Sequence, residues 1–189
     1  MSEPVSALGG AVADGAYIGI SDAGIVGQMT IRGDVEGAAV AALMLELTGS
    51  TVPGPLKVVT KGDSRVVWMS PDELLVIMPR EGVAPAVTRT GEVLGTGHHM
   101  ALDVSDARAL IRLSGAQVGE VLAKGAPCDV SDKAFPPGTA RRTHLGGLAV
   151  GLWRVSGDQW EVVCFRSYAH HLMAWLEQTA APGSQVGWG

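Results

Sequence analysis

Residues 101–130, ALDVSDARALIRLSGAQVGEVLAKGAPCDV, hold the pattern from which the rest of the chain can be read. Leu102 and Val104, then Leu110, Ile111 and Leu113, are apolar runs of the kind strands use. Ser114 predicts a helix start. Gln117, three residues on, completes a capping-box pattern, in which two side chains satisfy free backbone N–H groups. Val118, Val121 and Leu122 fall on one helical stripe, and Gly125 and Pro127 stop it. The order is strand, cap, helix, stop, and the chain carries it twice.

Toward the N-terminus, Val26, Met29 and Ile31 predict a strand, with Asp34 as N-cap of a helix bearing Val35, Ala38, Ala39, Ala42, Leu43 and Leu47. Gly49 ends that helix. Residues 56–60, 66–70 and 74–78 read as strands around turns at Gly62-Asp63 and Pro71-Asp72, and a second helix bears Val83, Ala86, Val87, Thr90 and Leu94. Ile31-Arg32 recurs as Ile111-Arg112, and Ser70-Pro71-Asp72-Glu73 as Ser156-Gly157-Asp158-Gln159. Arg80 recurs as Arg166, so the repeat has a period of roughly 80 to 86 residues. A last helix carries Tyr168, Leu172, Trp175 and Leu176 on one face. The expected fold is α+β: two β-α-β-β-α halves, residues 26–100 and 101–180, in one domain. A Gly/Ala-rich N-terminus over residues 1–25 is expected to be mobile, with Tyr17, Ile18 and Ile20 anchoring a short extended piece. Residues 181–189, including Trp188, are expected to form a tail.

Composition narrows the function classes. The 189 residues are 47% hydrophobic and 17% charged, with a net charge of −5, which fits a globular protein rather than a nucleic-acid binder. No apolar run reaches membrane-spanning length and no secretory signal is visible, so a cytoplasmic protein is expected. Cys128 and Cys164 form no C-x-x-C and read as reduced thiols.

Familiar catalytic motifs are missing: no G-x-G-x-x-G after a strand, no P-loop, no G-x-S-x-G. His98-His99 and His170-His171 are adjacent pairs, and neighbours on a helix point about 100° apart, which suits no metal chelate. Asp103, Asp106 and Arg108 fit a solvated turn better than an acid–base dyad. Arg141, Arg142, Arg154 and Arg166 read as surface ion-pair partners before an anion site. Trp68, Trp153, Trp160 and Trp175 lie on expected strands or a helix, where core packing is the default.

The order of several runs carries a resemblance. Trp68 with Ser70-Pro71-Asp72-Glu73 comes first, then Asp103-Val104-Ser105-Asp106-Ala107, then Lys124-Gly125-Ala126-Pro127. Phe135-Pro136, Arg142-Thr143 and Leu152-Trp153 follow, and Phe165-Arg166-Ser167-Tyr168-Ala169 ahead of Trp175-Leu176 is the most specific. Together these resemble the γ subunit of heterotetrameric sarcosine oxidase over roughly residues 26 to 180.

The resemblance implies a fold like the folate-binding domain of the glycine-cleavage T-protein, which is itself built of two repeated halves. It implies an accessory chain with no catalytic, cofactor or metal residues, assembled with α, β and δ subunits. Those subunits would carry FAD, FMN, NAD and zinc and pass a one-carbon fragment from sarcosine to tetrahydrofolate. The alternative is a free-standing folate-binding or aminomethyltransferase-like one-carbon protein. Against it stand the lack of a second barrel and of the K-G-C-[FY]-x-G-Q motif; the nearest stretch here is Lys124-Gly125-Ala126-Pro127-Cys128. A chain of this kind acts through a protein partner. The Pro-rich segment 126–142, with Phe135, Pro136, Pro137, Arg141 and Arg142, is the candidate contact region, because aromatic and Arg side chains dominate interface centres. The competing reading makes Phe135 a plug closing the second half's core.

Overall fold

The computed structural model describes residues 4–13 and 16–187. The chain divides into a central unit, Ile25–Asp106, and a split unit in which the chain up to Gly24 joins the chain from Ala107 onward. In order, the elements are β1 (Gly19–Asp22) in the split unit, then β2 (Gly27–Gly33), α1 (Ala38–Thr48), β3 (Val58–Lys61), β4 (Ser64–Ser70), β5 (Glu73–Met78), α2 (Val83–Leu94) and β6 (His99–Asp103) in the central unit. The split unit resumes with β7 (Arg108–Ser114), α3 (Val118–Ala123), β8 (Ala140–Leu145), β9 (Leu148–Arg154), β10 (Gln159–Phe165) and α4 (Ala169–Thr179).

The central unit is an antiparallel sheet in the order β3-β4-β5-β2-β6. Alternation along each strand sends every second side chain to one face. Met29, Ile31, Val66, Leu74, Val76 and Met78 use that face to bury against Val40, Leu43 and Met44 of α1 and Val83 and Ala86 of α2. Each Val, Leu, Ile or Met among them contributes about 1.5–3 kcal/mol by leaving water. α1 ends where predicted, because Gly49 adopts φ 66 and turns its N–H back to the Leu45 carbonyl at 2.9 Å. Its start differs from expectation: the N-cap is Gly37, not Asp34, and no side chain caps it. α2 spans the predicted residues and follows a 3-10 turn at Arg80–Gly82.

The split unit has the matching order β8-β9-β10-β7-β1. Each sheet thus holds a hairpin triplet, then the strand that leads into the first helix, then a fifth strand. The fifth strand follows α2 in the central unit, but comes from before β2 in the split unit. This moves the boundary between the halves. Leu102 does not open the second half: Met29 to Gly33 pair with Asp103 to His99, so β6 completes the central sheet. The equivalent place beside β7 is taken by β1, with Gly19 opposite Ser114 and Ile20 opposite Leu113.

Tyr17, Ile18 and Ile20 anchor an extended piece as expected, while the described part of the N-terminal segment is more packed than the mobile stretch expected over residues 1–25. Leu8, Ile18 and Ile20 are buried in the split unit's core with Leu113, Val121, Leu122, Leu152, Trp160 and Leu172. The period in Tyr17-Ile18-Gly19-Ile20 is too short to signal a strand alone; the edge of β7 supplies the pairing. The Lys124 ammonium fastens this segment and the C-terminal one, donating to the Tyr17 hydroxyl at 3.0 Å, the Thr179 carbonyl at 2.6 Å and the Ser184 carbonyl at 2.7 Å. Val186 N–H donates to Glu120 Oε1 at 2.7 Å, so the tail is tied at both Ser184 and Val186. Trp188 lies outside the described residues.

The predicted hairpin over residues 66–78 is β4–β5, and its counterpart over 152–164 lies in β9–β10. Two other expectations fail. Ser114 does not cap a helix: it is paired on both sides, with Gly19 and Gln159, and α3 starts at Val118 without a side-chain cap. The contact region expected over 126–142 runs into β8, which with β3 in the central unit makes each half β-α-β-β-β-α rather than β-α-β-β-α. Gly125 and Gly146 are required by a close approach. A Cβ on Gly146 would sit 2.8 Å from the Trp175 indole, and one on Gly125 would strike the same ring.

Candidate partner-binding surface

The segment after α3 has to return the chain to the far edge of the sheet. Asp129 opens a turn by accepting the Ser131 N–H at 2.9 Å, and the Ser131 backbone and hydroxyl hold the Asp129 carboxyl below its ordinary range. The Ser131 carbonyl then accepts the Phe135 N–H at 2.8 Å. These bonds point Phe135 inward. It is 0% exposed, in the core cluster, with its ring 4.8 Å from that of Trp160. The exposed-anchor reading of Phe135 is therefore corrected: the residue is the plug. Helix-period or strand-period arguments could not decide this, because Phe135 belongs to neither element.

The rest of the predicted contact region divides. Pro136, Pro137 and Arg142 are exposed, and Arg141 is half-buried with its guanidinium 5.4 Å from the Phe135 ring centre. Arg141 and Arg142 are successive residues of β8 and take opposite faces; β8 pairs with β9 alone and forms the sheet's edge. Arg154 is committed to bonds within the split unit. It is enclosed, stacks 5.0 Å from the Trp160 ring centre, and gives its N–H groups to Asp132 at 2.6 Å and to the carbonyls of Phe135, Ser156 and Gly157. Arg166 lies at the end of β10 and donates to the Val5 carbonyl at 2.9 Å. A cleft of about 680 Å³ opens beside Arg154, lined by Gln117, Glu120, Asp132, Lys133 and Trp160.

Asp103 and Asp106 face Arg80 at 3.5 Å and 2.7 Å. Trp153 is fully buried and donates its indole N–H to Glu161 at 2.7 Å. His99 Nδ1 lies 2.8 Å from the Gly97 carbonyl, while His170 and His171 are exposed. Among the described residues no three His, Cys, Asp or Glu side chains gather as metal ligands would. Cys128 and Cys164 are both free thiols, and burial pushes Cys164 up to about 11. No helix among the described residues is long and apolar enough to cross a membrane.

Sequence reasoning left two exposed aromatics out of the candidate region. Phe165 is 55% exposed and Tyr168 is 43% exposed, with ring centres 6.4 Å apart and planes at 76°. Strand parity gave no signal: Phe165 shares its face of β10 with Glu161 and Val163, which are both buried, and its exposure comes from its place as the last residue of the strand.

Comparison with known proteins places this architecture. The glycine cleavage system aminomethyltransferase T from Bartonella henselae has a similar fold, with a TM-score of 0.56, 13% identity, and 85% of this chain and 45% of that chain covered. A chain of the heterotetrameric sarcosine oxidase from Corynebacterium sp. U-96, solved with pyrrole 2-carboxylate, is closer in fold: TM-score 0.79, 24% identity, covering 94% of this chain and 91% of that one. Residues 32–182 match the model of the sarcosine oxidase, gamma subunit family. The sarcosine oxidase subunit gamma of Corynebacterium sp. (strain P-1) is 31% identical over 178 residues, 92% of this chain and 86% of the relative. That of Arthrobacter sp. is 31% identical over 183 residues, with the same shares covered. The chain belongs to the sarcosine oxidase gamma subunit family.

Proposed function

We propose that this chain is a non-catalytic accessory subunit of a cytoplasmic heterotetrameric sarcosine oxidase. In this reading it assembles with α, β and δ subunits and supports demethylation of sarcosine to glycine, with one-carbon transfer to tetrahydrofolate. FAD, FMN, NAD and zinc belong to those partners. Pro136, Pro137, Arg141 and Arg142 form one contact with them, and Phe135 shapes it from beneath by fixing the turn that presents the two prolines.

The observation that carries the reading is the extent of the relationship, 31% identity across 92% of the chain to proteins named as gamma subunits. The internal chemistry supports it. Two polar groups enclosed in the split unit, Arg154 and Glu161, are engaged in holding the fold. Co-expression with the other three subunits tests the reading. A stable complex that contains this chain, and loses sarcosine-dependent peroxide production or integrity when it is left out, is expected. An isolated chain that instead binds tetrahydrofolate and recruits no subunit would favour the one-carbon alternative.

A further inference from the structure

The duplicated fold offers an internal control for the exposed aromatics. Pro79-Arg80-Glu81-Gly82 in the central unit and Phe165-Arg166-Ser167-Tyr168 in the split unit each link the last hairpin strand to the second helix. The central unit makes this connection with a proline, a glycine and an ion-paired arginine. The split unit places two aromatic rings there and leaves both about half in solvent. Folding the connection does not require them, since its copy folds without.

The segment that carries them has one sign. No carboxylate occurs in the sequence from Val162 to Leu176, although the chain as a whole carries −5. Arg166 and His170 are exposed beside the rings, and Arg108 stands opposite Phe165 across the β7–β10 ladder. Paired aromatics with arginine at the margin match the composition of interface hot spots. The edge-to-face geometry holds both rings in one orientation, so little side-chain freedom is lost when a partner covers them.

We propose that Phe165 and Tyr168 are a docking anchor for a partner subunit whose surface offers an apolar slot rimmed by carboxylates. The inference rests on the subunit reading above and places a second contact away from the β8 edge. Arg166 beside the rings selects an acidic rim over a basic one, and in a two-fold dimer it would face its own copy, like charge against like.

The test is co-purification with the α, β and δ subunits, followed by titration of the chain into the preassembled remainder. The double variant Phe165→Ala/Tyr168→Ala is expected to bind about 30-fold or more weakly while the lone chain keeps its melting temperature. Arg166→Gln is expected to lower the salt dependence of binding. Hydrogen exchange on the wild-type complex, which needs no variant to fold, is expected to show residues 165–171 protected on assembly. Equal binding by the double variant, or unprotected 165–171 amides in the complex, overturns the anchor. So does a dimer of the lone chain that the double variant disperses. A wild-type chain that binds none of the subunits sinks the subunit reading itself, a different result from the loss of binding in the variant alone.

Discussion

The central and split units share one strand order, yet matched arginines meet different fates. Arg80 is drawn in and pairs with Asp103 and Asp106; Arg166 remains exposed and gives one N–H to a backbone carbonyl. Their helices differ too. α1 runs for 11 residues and α3 for 6. The split unit makes good the shorter helix with Leu8, Ile18 and Ile20 from the N-terminal segment, and with Phe135. One fold therefore tolerates two ways of filling its core, and surface features present in only one copy are not required by the architecture.

Breaking the split unit's filling is expected to have the largest effect. Phe135→Ala should cost about 3–5 kcal/mol of stability, because the ring is fully enclosed and Trp160 loses its neighbour. Urea unfolding of the lone chain measures this, and an unchanged midpoint would return Phe135 to the surface.

The comparison sharpens at a pair of cross-strand ion pairs. Arg32 and Glu73 sit opposite each other on β2 and β5, as do Arg112 and Glu161 on β7 and β10. The oxygens lie 3.0 Å and 3.6 Å from their guanidinium partners. Glu161 has a second duty, accepting the buried Trp153 indole N–H. Glu161→Ala leaves that donor unsatisfied and is expected to cost about 1–3 kcal/mol. Glu73→Ala is expected to cost less, because it strands no buried indole N–H; the arginine partners in the two pairs are about equally exposed. Paired urea titrations of the two variants read the difference.

The smallest effect concerns acid. Burial alone would raise the Asp103 carboxyl, but the Ser105 hydroxyl, the Ser105 N–H and the charge of Arg80 outweigh it and hold the group below its ordinary value. A carboxyl lowered on folding stabilises fully above its unfolded value, and the contribution disappears as pH falls through the folded one. Stability should therefore weaken below a pH of about 4, more in the wild type than in Asp103→Asn. Thermal unfolding at stepped pH gives the slopes, and equal slopes would remove Asp103 as a contributor.

How far the sequence could be read depended on whether a residue's partners were local. The hairpin at 66–78 and the helix at 83–94 were legible because alternation, turn residues and helical spacing lie within the segments themselves. Ser114 misled for the opposite reason. Its capping pattern was local, but Gly19 and Gln159 pair with it and keep it in the strand. β1 and β8 are edge strands with little apolar alternation, and only their neighbours define them. In the candidate surface, the exposure of Pro136, Pro137 and Arg142 was legible from composition, whereas the inward turn of Phe135 depends on the Ser131 carbonyl. The exposure of Phe165 was not readable from strand parity, because Glu161 and Val163 on the same face are buried.

The insertion of the central unit between β1 and β7 has a consequence in time. Tyr17 and Lys124 are 107 residues apart in the chain, and Val5 and Arg166 are 161 apart. During synthesis the central unit, whose sheet and helices come from one continuous stretch, can close as soon as it emerges. β1 is made earlier and must wait, with Ile18 and Ile20 uncovered, until β7 arrives. Closing so long a loop adds modestly to the entropy that must be overcome, since that term grows only with the logarithm of length. The delay itself is the larger hazard. An unpaired apolar strand is a template for wrong pairing, so the order of synthesis makes β1 the point where this chain is most exposed to aggregation.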